Sequence, residues 1–369
     1  MNRLKLNIFF VLLILLIVLS IIPIAILINQ SIDNLDIIKG VSKEAIGAIV
    51  REQSDQVYKL RARDLAQRIS DFLKASELDV RILSQVPRTP EAYLYFFQAH
   101  SRFLKYKKSL APLYKEVVHI DRHGQEVIKV VNHIVTESEQ LKNVSFPENT
   151  TYKSETYFED LKSSSSDIHV THLTGWYVSR SEQMTSGKTY DGVFRFSIKL
   201  KDSAGNFDGI CMLALDHQHI MDFIYDDIEE ENSLLKNYRL GNYAYVFDDE
   251  GWIIVHPKLW DIRGLDKNGL AVSAFTENTP KWTIDAGMLP LNLLKMDWRL
   301  RDINTKEPIS SIVRRVQRGE TVLSTIKSMG IVGEAEGVVR SRVFSPIFYD
   351  VGDYGKSWHF WRRCDRHGP

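Results

Sequence analysis

From Ile8 to Ile28 the chain runs 21 residues with only Ser20 and Pro23 interrupting aliphatic and phenylalanine side chains. About 20 such residues cross the hydrocarbon core of a bilayer as one helix. Each Leu, Ile, Val or Phe favours insertion by about 0.3–0.6 kcal/mol, so the run outweighs one Ser and one Pro. Arg3 and Lys5 precede it, and Asp33 and Asp36 follow it. The positive-inside bias then predicts a single-pass inner-membrane anchor with the N-terminus cytoplasmic and residues from about 30 in the periplasm or outside. A cleaved signal peptide is the competing reading, but its apolar region is typically about 7–15 residues and ends at a small-x-small site, and no such site follows Ile28.

The remaining chain has material for two ordinary folded domains: 369 residues in all, 44% hydrophobic and 25% charged. Lys plus Arg and Asp plus Glu both total 47, which gives no basic footprint for nucleic acid. Two cysteines, Cys211 and Cys364, stand far apart in unlike surroundings, which argues against a disulfide framework or zinc cluster.

After the anchor, Ile32, Leu35, Ile38, Ile46, Ile49, Val57, Leu60, Leu65, Ile69, Phe72 and Leu73 recur at three- and four-residue steps, predicting a long amphipathic helix. It is expected to run to near Val86, where Pro87 and Pro90 stop it, with a second helix through Ala92, Phe96, Phe97, Phe103 and Leu104. This spine, residues 31–105, packs against the rest or forms a dimer seam. From residue 106 the pattern becomes short β-rich runs with turns between them. Val117–Ile120, the turn Asp121-Arg122-His123-Gly124 and Val127–Val131 make one predicted hairpin; Phe194–Leu200, Asp202–Asn206 and Gly209–Leu215 make another. The design returns at Tyr243–Phe247, Asp248-Asp249-Glu250-Gly251 and Trp252–Pro257, with strands expected at Thr321–Ile326, Glu336–Arg340 and Arg342–Ile347. The fold class is therefore α+β: anchor, long helix, then two tandem modules with antiparallel sheets, at 106–225 and 237–356.

These residues resemble the double Cache family of PAS-like extracellular sensors in bacterial histidine kinases, chemoreceptors and membrane phosphatases. Tyr245 to Pro257 is similar to the family's membrane-proximal hairpin, and Asp202 to Asp216 to the ending of its membrane-distal module. The resemblance spans about residues 8 to 356. It implies two PAS-like modules on a helix, the distal one binding a small molecule. Amino-acid-binding members carry a Tyr, an Arg, a Trp-Tyr pair and a later Asp. Trp176-Tyr177 matches the aromatic pair and Asp216 the acid, whereas Thr174 stands at the Arg position and His169 at the Tyr position. Arg180 or Arg195 would supply the cation, a guanidinium being able to grip a carboxylate through two bonds. The implied pocket is Tyr157, Trp176, Tyr177, Arg180, Arg195 and Asp216. It suits a polar or anionic ligand of the amino-acid or organic-acid class, in a homodimer at the membrane. In the plainer alternative, Trp176 and Tyr177 are core and Asp216 caps a helix beginning near His219.

No cofactor or metal is expected. Asp216, His217 and His219 lack the i, i+4 histidine spacing of a helical metal site, so a surface or capping role is expected, and Asp248–Glu250 is explained by its turn. No Gly-x-Ser-x-Gly, His-Glu-x-x-His or phosphate loop occurs, so the chain is read as a sensor region and not an enzyme. A membrane-anchored solute-binding or scaffold protein without signalling output is the alternative. The tail 357–369, rich in Trp, His and Arg, is unlike the preceding sequence; a frameshift or truncation removing an output domain is expected there.

Overall fold

The computed structural model describes residues 29–31, 45–47, 49–50, 52–225, 243–280, 289–327 and 339–355. The predicted anchor at 8–28 and the tail at 357–369 lie outside the described residues. Among the described residues no helix is long and apolar enough to cross a membrane. The chain divides into two compact units, Met1–Leu60 and Arg61–Pro369. In the first, the described residues are helical, and Ile46, Ile49, Val50, Val57 and Leu60 are exposed.

The second unit begins with helix α1 at 61–83. Helix α2, Pro90–Ala99, starts where the Thr89 hydroxyl accepts the Ala92 N–H and Pro90 fills the first turn. Proline costs nothing there, because that N–H has no intrahelical partner. The second helix was expected to continue through Phe103 and Leu104. It stops at His100 instead, and β1 (Ser101–Leu104) pairs with β2 (Ser109–Pro112), so that Phe103 opposes Leu110 on an exposed hairpin.

A seven-stranded antiparallel sheet follows: β3 (Tyr114–Ile120), β4 (Glu126–Val131), β5 (Ile134–Val135), β6 (Ile168–Val170), β7 (Thr174–Trp176), β8 (Asp191–Lys201) and β9 (Phe207–Asp216). The order is β5-β4-β3-β9-β8-β6, with β7 also on the outer edge of β8. The expected hairpins are present with their turn chemistry. Asp121 accepts the His123 and Gln125 N–H groups at 2.8 and 3.0 Å while Gly124 takes φ +86°, a value costly for any side chain with a Cβ.

Both faces of the sheet are buried at β8 and β9, which is why these strands read as nearly unbroken apolar runs. Side chains alternate between faces along a strand. Val117, Phe194, Phe196, Cys211, Leu213 and Leu215 share a core with Ile69, Leu73, Val80 and Leu83 of α1 and Tyr93 and Phe97 of α2. Val118, Ile120, Val193, Ile210 and Met212 share a second core with Tyr157, Phe158 and Leu161 of α3 (Tyr157–Ser163).

The first core continues into the C-terminal part, where β10 (Val246–Phe247) pairs with β11 (Ile253–Val255) and β12 (Val322–Lys327) with β13 (Val339–Phe344). A helix not anticipated from sequence, α6 (Ile309–Gln317), buries Ile309, Ile312, Val313 and Val316, a spacing that places all four on one face. Each contributes about 1.5–3 kcal/mol on burial. Backbone and side-chain bonds connect this part to the earlier elements. Leu265 bonds Gly175 and Tyr177, extending the β7 edge, and the Ser70 hydroxyl on α1 donates to the Phe348 carbonyl at 2.6 Å.

Candidate functional site

The six residues singled out in the sequence fall into three places. Arg195 lies mid-strand in β8, fully buried, on the α3 face of the sheet. Its Nε donates to Glu155, its Nη2 to Glu155 Oε2 at 2.9 Å, and its Nη1 to Glu116 Oε2 at 3.1 Å. The guanidinium sits 4.9 Å from the centre of the Tyr157 ring. Lys129 and Glu126 complete the network, with Lys129 Nζ 2.7 Å from Glu126 and 3.6 Å from Glu116. Burial by itself would raise the Glu116 carboxyl, but Arg195 and then Lys129 outweigh it and hold the group down at about 2. Burial would likewise discharge Arg195, and the two glutamates keep it charged. The donors of Arg195 and the ring of Tyr157 are thus spent on an internal structure.

Tyr177 and Arg180 form a clamp. Tyr177 Oη donates to the Trp260 carbonyl at 3.1 Å, and Arg180, the first residue of α4 (Arg180–Ser186), lies 5.8 Å from the Trp260 ring centre. Gln183 of α4 donates to the Pro257 carbonyl and accepts the Leu259 N–H. Ser179 caps α4 reciprocally with Glu182, which aims the helix at this His-Pro turn.

Trp176 and Asp216 flank the end of the sheet where β8 begins, one on each side of that strand. Trp176 pairs in register with Asp191, and Val193 with Asp216. Lys115, at a bulge in β3, makes an ion pair with Asp191 and stands 3.8 Å from Asp216. Tyr152 donates to Asp191 at 3.3 Å and turns its ring to within 5.3 Å of Trp176. Asp216 also accepts the Gln218 backbone and side-chain N–H groups at 3.0 and 2.7 Å. Two carboxylates therefore share one ammonium beside two aromatic rings, with the Asp191 side chain 55% exposed and the Asp216 side chain 11%. Such a corner can exchange its internal ion pairs for those of a small charged molecule.

Lys115, Tyr152, Asp191, Glu116 and Glu155 were not foreseen. A signal existed for Glu116: it shares a strand face with Val118 and Ile120, so an acid at a core position demands an internal cation. The surface role expected for His217 and His219 is corrected. Both are buried, and their Nε2 atoms sit 2.6 Å from the Ile254 carbonyl and 2.8 Å from the Pro112 carbonyl. Asp216 holds the turn into α5 (Gln218–Met221) through Gln218, close to the capping alternative. Among the described residues, no group of three or more His, Cys, Asp or Glu side chains could hold a metal ion.

A third charged cluster joins the loop after β6 to the turn between β10 and β11. His172 Nε2 lies 2.7 Å from Asp249, and the His172 N–H donates to Asp353 at 3.1 Å. Burial would lower the imidazole, and the bond to Asp249 outweighs it, leaving the group above its ordinary value.

No family model and no curated protein matches the chain by sequence. Among solved structures, it is similar to the extracellular domain of a protein described as a histidine kinase, with 15% identity and a TM-score of 0.31 over 47% of this chain; the match spans 62% of that domain, less than two thirds of its length. The sensory domain of the Campylobacter jejuni chemoreceptor Tlp3, with isoleucine bound, matches at 12% identity and a TM-score of 0.34, over 56% of this chain and 72% of that one. The ligand-binding domain of the Pseudomonas fluorescens chemoreceptor CtaA, in complex with L-valine, matches at 12% identity and a TM-score of 0.36, over 80% of this chain and 98% of that one.

Proposed function

We propose that this chain is the extracytoplasmic small-molecule-sensing region of a transmembrane signal receptor, of the histidine-kinase, chemoreceptor or membrane-phosphatase type. In this reading residues 8–28 anchor it, the modules at 106–225 and 237–356 face outward, and it works as a homodimer. The ligand is a polar or anionic molecule of the amino-acid or organic-acid class. The observation that carries the reading is the partly open corner of Lys115, Asp191 and Asp216 beside Trp176 and Tyr152. Tyr177 borders it through the chain, while Arg195 and Tyr157 hold the sheet beneath rather than touch the guest. A ligand that replaces internal ion pairs binds one arrangement of the corner better than another, and it shifts the populations only by that difference.

The test is a thermal-shift screen of the full-length chain in detergent against amino acids, organic acids and amines. At a ligand concentration 100 times Kd, bound protein gains about 2.7 kcal/mol, a shift of several degrees. Asp216→Asn and Trp176→Ala should abolish the shift of any hit. Hits that survive both substitutions would move the site elsewhere, and a panel without hits would refute the ligand class.

A further inference from the structure

On the opposite face of the sheet, beneath α2, one cross-strand row departs from the apolar pattern. Ile128, His119, Cys211 and Ile198 stand opposite one another in register across β4, β3, β9 and β8. Cys211 is 1% exposed and His119 7%. Tyr93 of α2 covers them, its hydroxyl 2.9 Å from the Cys211 sulfur and its ring 6.4 Å from the His119 ring. Both imidazole nitrogens of His119 are buried without a hydrogen-bond partner. A neutral imidazole always carries one donor and one acceptor, so the pair left unmade in a core requires an explanation. The buried rings of His217 and His219 each hold a backbone carbonyl instead.

We propose that Cys211 and His119, with the Tyr93 hydroxyl against the sulfur, form a buried two-ligand site for a soft monovalent cation of the Cu(I) or Ag(I) type. Directly opposed cross-strand residues have Cβ atoms about 4.5–5.5 Å apart. A metal about 2.3 Å from sulfur and about 2.0 Å from imidazole nitrogen, as for zinc, needs the two ligand atoms about 4 Å apart, a separation within reach of side chains on directly opposed residues. Thiolate and imidazole together select a soft ion. Charge selects its valence: one thiolate neutralises one positive charge, whereas a divalent ion would leave a net charge in an apolar core. Arg88 and Asp208, paired at 2.7 Å, act on His119 with opposite sign, and Asp121 adds a smaller contribution of the same sign as Asp208. Burial pushes the Cys211 thiol up to about 11, against a smaller opposing contribution from Tyr93, so the metal-free site holds S–H at neutral pH. On binding, the S–H bond breaks, the S–metal bond forms and one proton passes to solvent, with no change of oxidation state. The neutral His119 binds through a lone pair and releases none.

The test uses the full-length chain carrying Cys364→Ser, which leaves Cys211 as its sole thiol, titrated with Ag(I) in detergent. The folded protein should take up one equivalent, release one proton, gain a thiolate-to-metal ultraviolet band and melt at a higher temperature. X-ray absorption on the loaded protein should find one sulfur and one nitrogen neighbour, a readout that needs no core substitution. Cys211→Ala, or Cys211→Ser if the alanine variant fails to fold, should abolish uptake, and His119→Phe should weaken it at least tenfold. Uptake only after unfolding, two sulfur neighbours, an equivalent retained without Cys211, or an affinity within twofold in His119→Phe would overturn the proposal.

Discussion

Replacing Arg195 by Met keeps an unbranched apolar stem, shortens the side chain, and removes its charge and five donors. Glu116 and Glu155 would then face each other inside the sheet, with Lys129 the nearest remaining cation. Removing one partner of a buried ion network costs about 3–5 kcal/mol, because the other charge is left uncompensated. Lowering the Glu116 carboxyl from 4.5 to about 2, against burial, by Arg195 first and by Lys129 and Thr151 after it, corresponds to on the order of 3 kcal/mol at 1.36 kcal/mol per pKa unit, of which the Arg195 part is lost in the variant. Against a typical total of about 5–15 kcal/mol this is a large share. At about 2–4 °C per kcal/mol, Tm should fall by about 10 °C. Denaturant unfolding followed by circular dichroism should show a lower midpoint with an unchanged slope, the signature of lost stability. The triple variant Arg195→Met, Glu116→Gln, Glu155→Gln should recover most of the loss, since no charge remains stranded. A single variant that loses under about 1 kcal/mol, or a triple variant no better than the single, would refute the account of a self-satisfied network. Acid gives a further check. A depressed carboxyl contributes stability above its ordinary value, lost as pH falls through the folded value. The Glu116 contribution should therefore vanish between about pH 4.5 and 2, and Glu116→Gln should erase that slope.

Gly209→Ala should destabilise by at least about 2 kcal/mol, because at φ +118° its new Cβ would lie 2.2 Å from the Ile120 carbonyl oxygen; an unchanged denaturation midpoint would contradict this. Ile312→Ala should cost about 2–5 kcal/mol through the cavity left in the α6 core, read in the same assay, and a loss below 1 kcal/mol would remove α6 from the core. His172 sits above its ordinary 6.5 beside Asp249. Its stabilisation is complete below pH 6.5 and is lost as pH rises through the folded value, so His172→Gln should reduce stability at pH 6 more than at pH 8; an equal loss at both would show that the charge is not involved.

Most of the sheet was legible because turn chemistry punctuates it. The Asp-to-Gly turns after Ile120 and Lys201 fixed where β4 and β9 begin. Of the strands expected at Glu336–Arg340 and Arg342–Ile347, the described residues form one, β13, because Ser341 pairs with Thr325 and no turn separates Arg340 from Arg342; residues 336–338 lie outside the described residues. Phe103 misled because its spacing suits a helix, yet it faces solvent opposite Leu110. The α6 stripe was present in the sequence at three- and four-residue steps and was obscured by its arginines. At the candidate site, Trp176 and Asp216 were legible as residues but their neighbours were not. Lys115 and Asp191 lie 76 positions apart, and only the sheet order brings them together. Arg195 misled because Phe194-Arg195-Phe196 reads as in-out-in, a pattern that fails when a second core covers the other face.

The bond from Ser70 to Phe348 closes over 278 residues. A ribosome adding about 5–20 residues per second needs roughly 15–55 s to make that span. Ile69 and Leu73 of α1 share a core with α2 and the sheet, all made well before residue 348, so what waits longest is the Ser70 hydroxyl for its carbonyl. The last closure on α1 is therefore paced by translation, after the apolar contacts of α1 with α2 and the sheet can already have formed.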